Sequence, residues 1–338
     1  MKDILITGGA GFIGSHLAKR FLASGHRVVI IDNLSTGSLA NLSEHTGHDA
    51  LHIYEGDAHD EEILDQVATN HSIDVLYHFA AMVGVERTQA KPDAVFKDLR
   101  GIQAVLEFAK NQQVPRMIYA SSSEIYGEGG GESASALGSG YARCKRMGEL
   151  LVAQGTQHSP IEATILRLFN IYGPEQRDDF VLPRFLKQAL KGEPLTVYGD
   201  GKQTRSFLYI DDLIDAIYLI ETGELFPGDA VNLGGHDPIE IGALAEKIID
   251  ISQTSSPIEF VAAPVFDWVH HRRPNLTKSK RVLNPKVSLE EGIQRCLESL
   301  EGLDSLESLE GVEGLDSAEG LQNLGSIAST PKIAQEQA

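Results

Sequence analysis

The chain has 338 residues, 42% of them hydrophobic, and a formal net charge of −19, a size and content that suit one large α/β domain or two lobes. Surplus negative charge repels the phosphates of nucleic acid and anionic lipid, so neither is expected as a partner. With no apolar run of about 18 residues, no basic leader before the first strand-like segment, and only Cys144 and Cys296 as thiols, neither a membrane span nor export nor a disulfide framework is expected, and a cytoplasmic location is.

The opening DILITGGAGFIGSHLAKRFLASGHRVVIID predicts strand, glycine-rich turn, helix and strand. Ile4 to Ile6 form an apolar run, Leu17, Ala18, Phe21 and Leu22 recur at helical spacing, and Val28 to Ile31 are again continuously apolar. Further strands are expected at Leu51 to Tyr54, Val75 to Phe79, Met117 to Ala120 and Ala163 to Leu168, and helices at Glu61 to Thr69, Asp93 to Asn111 and Tyr141 to Gln154. Apolar strands alternating with helices imply a Rossmann-like, doubly wound parallel sheet in an α/β chain. That domain spans 1–169, and RSFLYIDDLIDAIYLI reads as a strand and helix returning to the main sheet within about 206–235. Between 170 and 296, prolines and glycines break the chain into shorter segments, which predicts a smaller, discontinuous C-terminal lobe that binds substrate. From Glu298 onward nine acidic residues face one lysine, and EGLDSLESLEGV is followed by EGLDSAEGLQNL. The period of three matches neither helix nor strand, so 297–338 reads as an acidic low-complexity tail, disordered or loosely helical.

Gly8, Gly11 and Gly14 make GxxGxxG between the first strand and helix. In that context the glycines permit a tight turn, close approach of a pyrophosphate and close helix packing, while the helix N-terminus offers unpaired N–H groups to the phosphates. The second strand ends at Asp32, whose carboxylate can accept both ribose hydroxyls and repel a 2′-phosphate, which favours NAD over NADP. Asp57, ending another strand, is expected near the adenine.

Tyr141 and Lys145 lie four apart on one helix face. A phenol with a pKa of about 10 is a poor base, but a nearby ammonium and a cationic nicotinamide favour phenolate. Tyr141 can then exchange a proton with a sugar hydroxyl. In a parallel sheet ligands sit at the carboxyl ends of strands, where SSSE falls: Ser122 can hydrogen-bond the same hydroxyl, and Ser123 and Glu124 stand next to it, Glu124 as an acid or base.

With TGGAGFIGSHL, DNLSTG, HFAA, SSSEIYG, YARCKRMGE, LRLFNIYGP, VYGDGKQTRSFLYIDD and RRPNLTKSKRVL in order, the chain resembles the extended short-chain dehydrogenase/reductases over about residues 3 to 295, in the group of NAD-dependent nucleotide-sugar epimerases, dehydratases and decarboxylases. The resemblance implies cofactor contacts from Phe12, Ile13, Asn33, Ser35, Thr36, Gly37, Ala58, Phe79, Ala80 and Ala81 besides those above and from Tyr141 and Lys145. It implies that Asn170, Arg205 and Arg272 hold the diphosphate and sugar of a nucleotide-diphosphate sugar, a UDP-sugar by preference, that Tyr209 and Asp211 support a strand-to-helix corner, and that the protein is a homodimer. Ser122, Ser123 and Glu124 stand where UDP-glucuronate decarboxylases carry Thr-Ser-Glu. Ser123 replaces the Asp of the 4,6-dehydratases, and Glu124 is unusual for a UDP-glucose 4-epimerase, although AAMVGVERTQAKP is closer to the epimerase and dehydratase loop. UDP-glucuronate decarboxylation is the favoured reaction, with 4-epimerisation and 4,6-dehydration as alternatives and a non-catalytic NAD sensor as the alternative of another class.

Two segments depart from the family. Asp98, Leu99, Arg100 and Gly101 stand where members usually carry Asn-Val-x-Gly, and GGGESASALGSG replaces the usual proline-rich substrate loop. His45, His48, His52, His59, His270 and His271 lack a zinc-type spacing, so no metal is expected.

Overall fold

The computed structural model describes residues 1–91, 93–127, 139–263 and 273–313. Strand β1 (Asp3–Thr7) passes through the glycine turn into helix α1 (Phe12–Ala23), followed by β2 (Arg27–Asp32), β3 (Leu51–Glu55), α2 (Glu61–Asn70) and β4 (Val75–His78). Then come α3 (Val85–Ala90), α4 (Ala94–Asn111), β5 (Arg116–Ser122), α5 (Gly140–Thr156) and β6 (Glu162–Leu168). Local chemistry sets several starts: the Asp60 carboxylate accepts the Glu62 N–H ahead of α2, and the Ser139 hydroxyl accepts the Ala142 N–H ahead of α5.

The rest of the compact body contains β7 (Ile171–Tyr172), α6 (Val181–Leu190), β8 (Leu195–Tyr198), β9 (Thr204–Ser206), β10 (Leu208–Tyr209), α7 (Ile210–Thr222), β11 (Ala230–Leu233), β12 (Pro238–Glu240), α8 (Ile241–Ser252) and β13 (Ile258–Val261). Seven strands form a parallel sheet in the order β11-β6-β5-β4-β1-β2-β3. Ile4 of β1 stands opposite Val28 of β2 and Val75 of β4 on one face, and Leu5 stands opposite Val29 and Leu76 on the other, so both faces are apolar and demand cover. On one face Leu5, Val29, Leu76, Met117 and Tyr119 join Val105 and Ala109 of α4 in a buried core. On the other, α7 packs against α1, with Arg20 over the ring of Tyr218 at 4.5 Å.

The doubly wound parallel sheet bears out the expected fold class. The expectation that the strand in RSFLYI returns to the main sheet needs correcting. Leu208–Tyr209 pairs with Ile171–Tyr172 in the connection leaving β6, and the strand that returns is Ala230–Leu233, paired with β6. Two residues are too few to extend the sheet, so β10 serves the corner from which α7 starts. The other short pairs, β8 with β13 and β9 with β12, surround α6 and α8. The last helix, α9 (Leu289–Glu313), buries Ile293 and Cys296 in the body; from Leu297 the chain forms a separate unit, helical through Glu313. Among the described residues no helix is long and apolar enough to cross a membrane.

Below the sheet a buried ion pair joins three elements. Arg116 at the start of β5 donates from Nε to Glu221 of α7 at 3.1 Å and from Nη2 to the Leu225 carbonyl at 2.8 Å, and Lys2 reaches the other Glu221 oxygen at 2.7 Å. Removing one partner leaves an uncompensated buried charge, so Glu221→Ala should lower equilibrium stability in urea by about 3 kcal/mol.

Candidate active site

The carboxyl ends of β1, β2, β4, β5 and β6 open into a cleft of ≈ 1530 Å³ that the segments around Asn170, Arg177 and Arg205 border from the C-terminal side. At its floor Gly8 takes φ +74°, and a Cβ there would lie 2.6 Å from the Ala80 backbone nitrogen. A Cβ at Gly14 would lie 2.2 Å from the Gly8 carbonyl oxygen, so only glycine allows α1 to start this close to β1. Asp32 is buried, accepting the Ala10 N–H and the Leu34 N–H, each at 2.9 Å, on separate oxygens. Each oxygen keeps a further lone pair for a ligand hydroxyl. Asn33 donates to the Asp57 carboxylate at 2.5 Å, which joins the ends of β2 and β3 at one edge of the cleft.

Phe12, Ile13, Ser35, Thr36, Ala58, Phe79, Ala80 and Ala81 line the same cleft as Gly8, Gly11 and Gly14; Gly37 packs beneath it, 2.9 Å in Cβ terms from the Ala10 backbone. On the other side Ser122, Ser123, Glu124, Tyr141, Lys145, Asn170 and Arg205 line it too. Residues separated by 197 positions are thus brought to one cavity. Arg272 and residues 128–138 of the glycine-rich segment lie outside the described residues.

The three serines divide their work. Ser121 points into the protein and donates to Glu149 of α5 at 2.6 Å. Arg167 of β6 grips both oxygens of that carboxylate, at 2.9 and 2.8 Å, and donates to the Tyr126 hydroxyl, which in turn donates to Asn232 of β11. Ser122 accepts the Glu124 N–H at 3.2 Å and shares a hydrogen bond with the Tyr141 hydroxyl, and Ser123 begins the short 3₁₀ turn that carries Glu124. Glu149 lies eight residues beyond Tyr141, so this network clamps α5 to β5 with Tyr141 opposite Ser122.

At Tyr141 burial is the largest electrostatic influence. Burial pushes the phenol well above its ordinary value; hydrogen bonding with Ser122 opposes this, whereas the charges of Glu124 and Asp98 add to it. Lys145 is itself buried, its Nζ donating to the Ala120 carbonyl at 2.7 Å and standing 6.0 Å from the centroid of the Tyr141 ring. Burial therefore holds the proton on the phenol, and the phenolate expected from the Lys145 ammonium together with a cationic nicotinamide depends on the second of these charges. Nearby His78, hydrogen-bonded with Thr7 at 2.8 Å, is held down to about 3 by burial and by Lys145, and is neutral.

Sequence reasoning missed a charged group on the far wall. Arg177 donates to Asp179 at 2.7 Å, Arg87 of α3 reaches the same carboxylate at 3.1 Å, and Glu175, Arg184 and Tyr198 line the same cleft. The charged run EQRDD after the NIYGP motif was the available signal. Among the described residues no group of three or more His, Cys, Asp or Glu could hold a metal ion.

Residues 4–234 match the model of the NAD dependent epimerase/dehydratase family. The chain belongs to this family. It is 35% identical to a UDP-N-acetyl-alpha-D-glucosaminuronate decarboxylase of Bacillus cytotoxicus, over 88% of this chain and 97% of that protein. It is 33% identical to UDP-glucuronic acid decarboxylase 2 of Arabidopsis thaliana, over 86% of this chain and 66% of that protein, and so spans just under two thirds of the plant protein's length. Its fold matches UDP-glucose 4-epimerase of Thermotoga maritima, crystallised with UDP-glucose, at a TM-score of 0.82 and 27% identity, over 89% of this chain and 99% of that one.

As a member of the epimerase/dehydratase family the protein is an NAD-dependent enzyme. The residues present fit that cofactor, since α1 starts after Gly11 with no side-chain cap, which leaves its first-turn N–H groups for phosphate, and the carboxylate of Asp32 suits a ribose that lacks a 2′-phosphate. Asp32→Ala removes a hydrogen-bond acceptor from the site and should weaken NAD binding, followed by titration calorimetry, at least about tenfold while narrowing the preference over NADP.

Proposed function

We propose that the protein decarboxylates a UDP-uronic acid, UDP-glucuronate being the favoured substrate, with NAD recycled within each turnover. The observation that carries this reading is the set at the end of β5: Glu124 acts electrostatically on Tyr141, Ser122 is hydrogen-bonded with it, and Ser123 stands where a dehydratase would need an acid. The decarboxylases among the relatives support the same choice.

NAD, when bound, supplies the acceptor and donor of hydride at the sugar carbon that bears the reacting hydroxyl. Tyr141 moves the proton of that hydroxyl, and Ser122 orients it. With the phenol raised by burial, Tyr141 can serve as base only when the cationic cofactor and Lys145 act on it together. Glu124 passes a proton taken up from solvent to the neighbouring carbon that loses the carboxylate, on the same wall. Asn170, Arg205 and Arg272 hold the diphosphate and sugar, and forked guanidinium groups suit phosphate oxygens. Arg205 lines the cleft with Arg177 and Arg184, which gives a strongly acidic protein a cationic wall for an anionic substrate.

A second reading, 4-epimerisation of a UDP-hexose, is favoured by the AAMVGVERTQAKP segment and by the likeness to the Thermotoga enzyme. Incubating the protein with NAD and, separately, UDP-glucuronate, UDP-N-acetylglucosaminuronate and UDP-glucose, with products followed by NMR, separates the two. A UDP-pentose, or its N-acetylamino counterpart, with released carbon dioxide supports decarboxylation; a 4-epimer alone rejects it. Tyr141→Phe should lower kcat by about 10³, and Glu124→Gln should lower decarboxylation by about 10² with NAD affinity unchanged.

The same reading makes the protein a homodimer of the reducing cytoplasm. On α4 and α5, Phe96, Met147 and Leu150 are 63%, 49% and 55% exposed, an apolar face that a second copy of the chain would cover. Replacing both Met147 and Leu150 by Glu should convert the dimer to monomer in analytical ultracentrifugation.

A further inference from the structure

Lys145 is an ammonium taken out of water. Its Nζ has the Ala120 carbonyl at 2.7 Å and the Tyr119 ring centroid at 5.2 Å. Neither bears a formal charge, and a buried ammonium without a counter-charge gives up its proton instead. The groups that oppose this are Asp98 on α4, then Cys144 and Glu149 on α5. Burial pushes the Cys144 thiol up to about 11, so it stays neutral, and Glu149 is already bound by Arg167 and by Arg146 at 2.9 Å. His78 on β4 is neutral. Asp98 is the remaining anion.

The helix geometry aims Asp98 at this place. Three residues earlier on α4 the Val95 carbonyl receives the Cys144 thiol at 3.6 Å, and three residues later a Cβ at Gly101 would lie 3.8 Å from His78 Cε1. Position 98 lies between them on the helix surface, facing α5 and the end of β4. Its two carboxylate oxygens accept the Met82 N–H at 3.1 and 3.0 Å, and Asp98, Met82, Lys145 and Tyr141 all line the cleft.

We propose that Asp98 is a positioning residue with two effects: its carboxylate is the counter-charge that keeps Lys145 cationic, and its grip on Met82 fixes the Ala81–Gly84 loop against the same cleft. The proposal rests on the assignment of Lys145 as the cation of the active site, but not on which sugar is the substrate. The same negative charge bears on Tyr141 and Tyr119, raising the proton affinity of both, with Glu124 adding to the effect at Tyr141 and Ser122 opposing it there. Asp98 itself is raised by burial and pulled back by Lys145 and by the Met82 N–H. The carboxylate therefore keeps the ammonium charged while opposing phenolate, which makes the pair dependent on the cofactor's positive charge for turnover.

Asp98→Asn keeps an acceptor for Met82 and removes the charge, so it separates the two effects. In protein carrying ¹³Cε-lysine, with Lys145 assigned through Lys145→Arg, the Lys145 titration midpoint should fall by about one pH unit in Asp98→Asn. NAD affinity measured by calorimetry should then decline at a correspondingly lower pH, and Asp98→Glu should restore both. The coupling is reciprocal, so in Lys145→Met the ¹³Cγ midpoint of Asp98 should rise, a measurement that stands even if Asp98→Asn fails to fold. Midpoints that stay put, with NAD affinity reduced by one factor at every pH, would mean that Asp98 only anchors the loop and would overturn the counter-charge role. No sugar enters these titrations, so their outcome is independent of whether the protein decarboxylates UDP-glucuronate.

Discussion

Glu149 is a carboxylate almost wholly removed from water, and the arrangement of the active site depends on how it is satisfied. Arg167 from the neighbouring strand grips both of its oxygens, Ser121 donates from the end of β5, and Arg146 donates from its own helix. A buried carboxylate is tolerated only with such complete pairing, and losing one partner costs several kcal/mol, which fixes its position sharply. Because Glu149 sits on α5 and its partners sit on β5 and β6, the network sets the distance of α5 from the sheet. Tyr141 and Lys145 reach the cleft opposite Ser122 as a consequence of that packing.

The second constraint is the cost of charge in the same volume. Lys145, Asp98, His78 and Tyr141 share a pocket where desolvation is the largest influence on each. Burial drives each toward its neutral form, so which of them stay charged depends on their mutual pairing. His78 yields and becomes a neutral partner of Thr7, whereas Lys145 and Asp98 oppose each other's neutralisation. This leaves a poised rather than an activated tyrosine, in keeping with an enzyme whose chemistry waits for its cofactor.

Around that centre the protein arranges opposite surfaces. The chain is acidic overall, yet the cleft wall formed after β6 carries Arg177, Arg184 and Arg205. Asp179 ties Arg177 to Arg87 of α3, so the two sides of the cleft meet through an ion pair. In the C-terminal segments β9 pairs with β12 and β8 with β13, and α6 packs on α8.

Much of this was legible in the chain itself. The alternation of apolar runs and helical periods dictated a parallel sheet covered on both faces, and the GxxGxxG turn followed by a strand ending at Asp32 marked the cofactor cradle, because those signals are local and rest on steric limits that act within a few residues. The corner at Leu208–Tyr209 was misread as a strand of the main sheet, since a two-residue strand has no pattern that tells which partner it will find. The protonation of Tyr141 was legible only in part: the spacing to Lys145 is visible in sequence, but the desolvation that raises the phenol exists only once α5 is clamped onto β5. The pairing of Glu149 with Arg167, and the aim of Asp98 at Lys145 from a helix 47 positions earlier, were likewise decided by the tertiary structure alone, because a charge's partner depends on distance and burial in space.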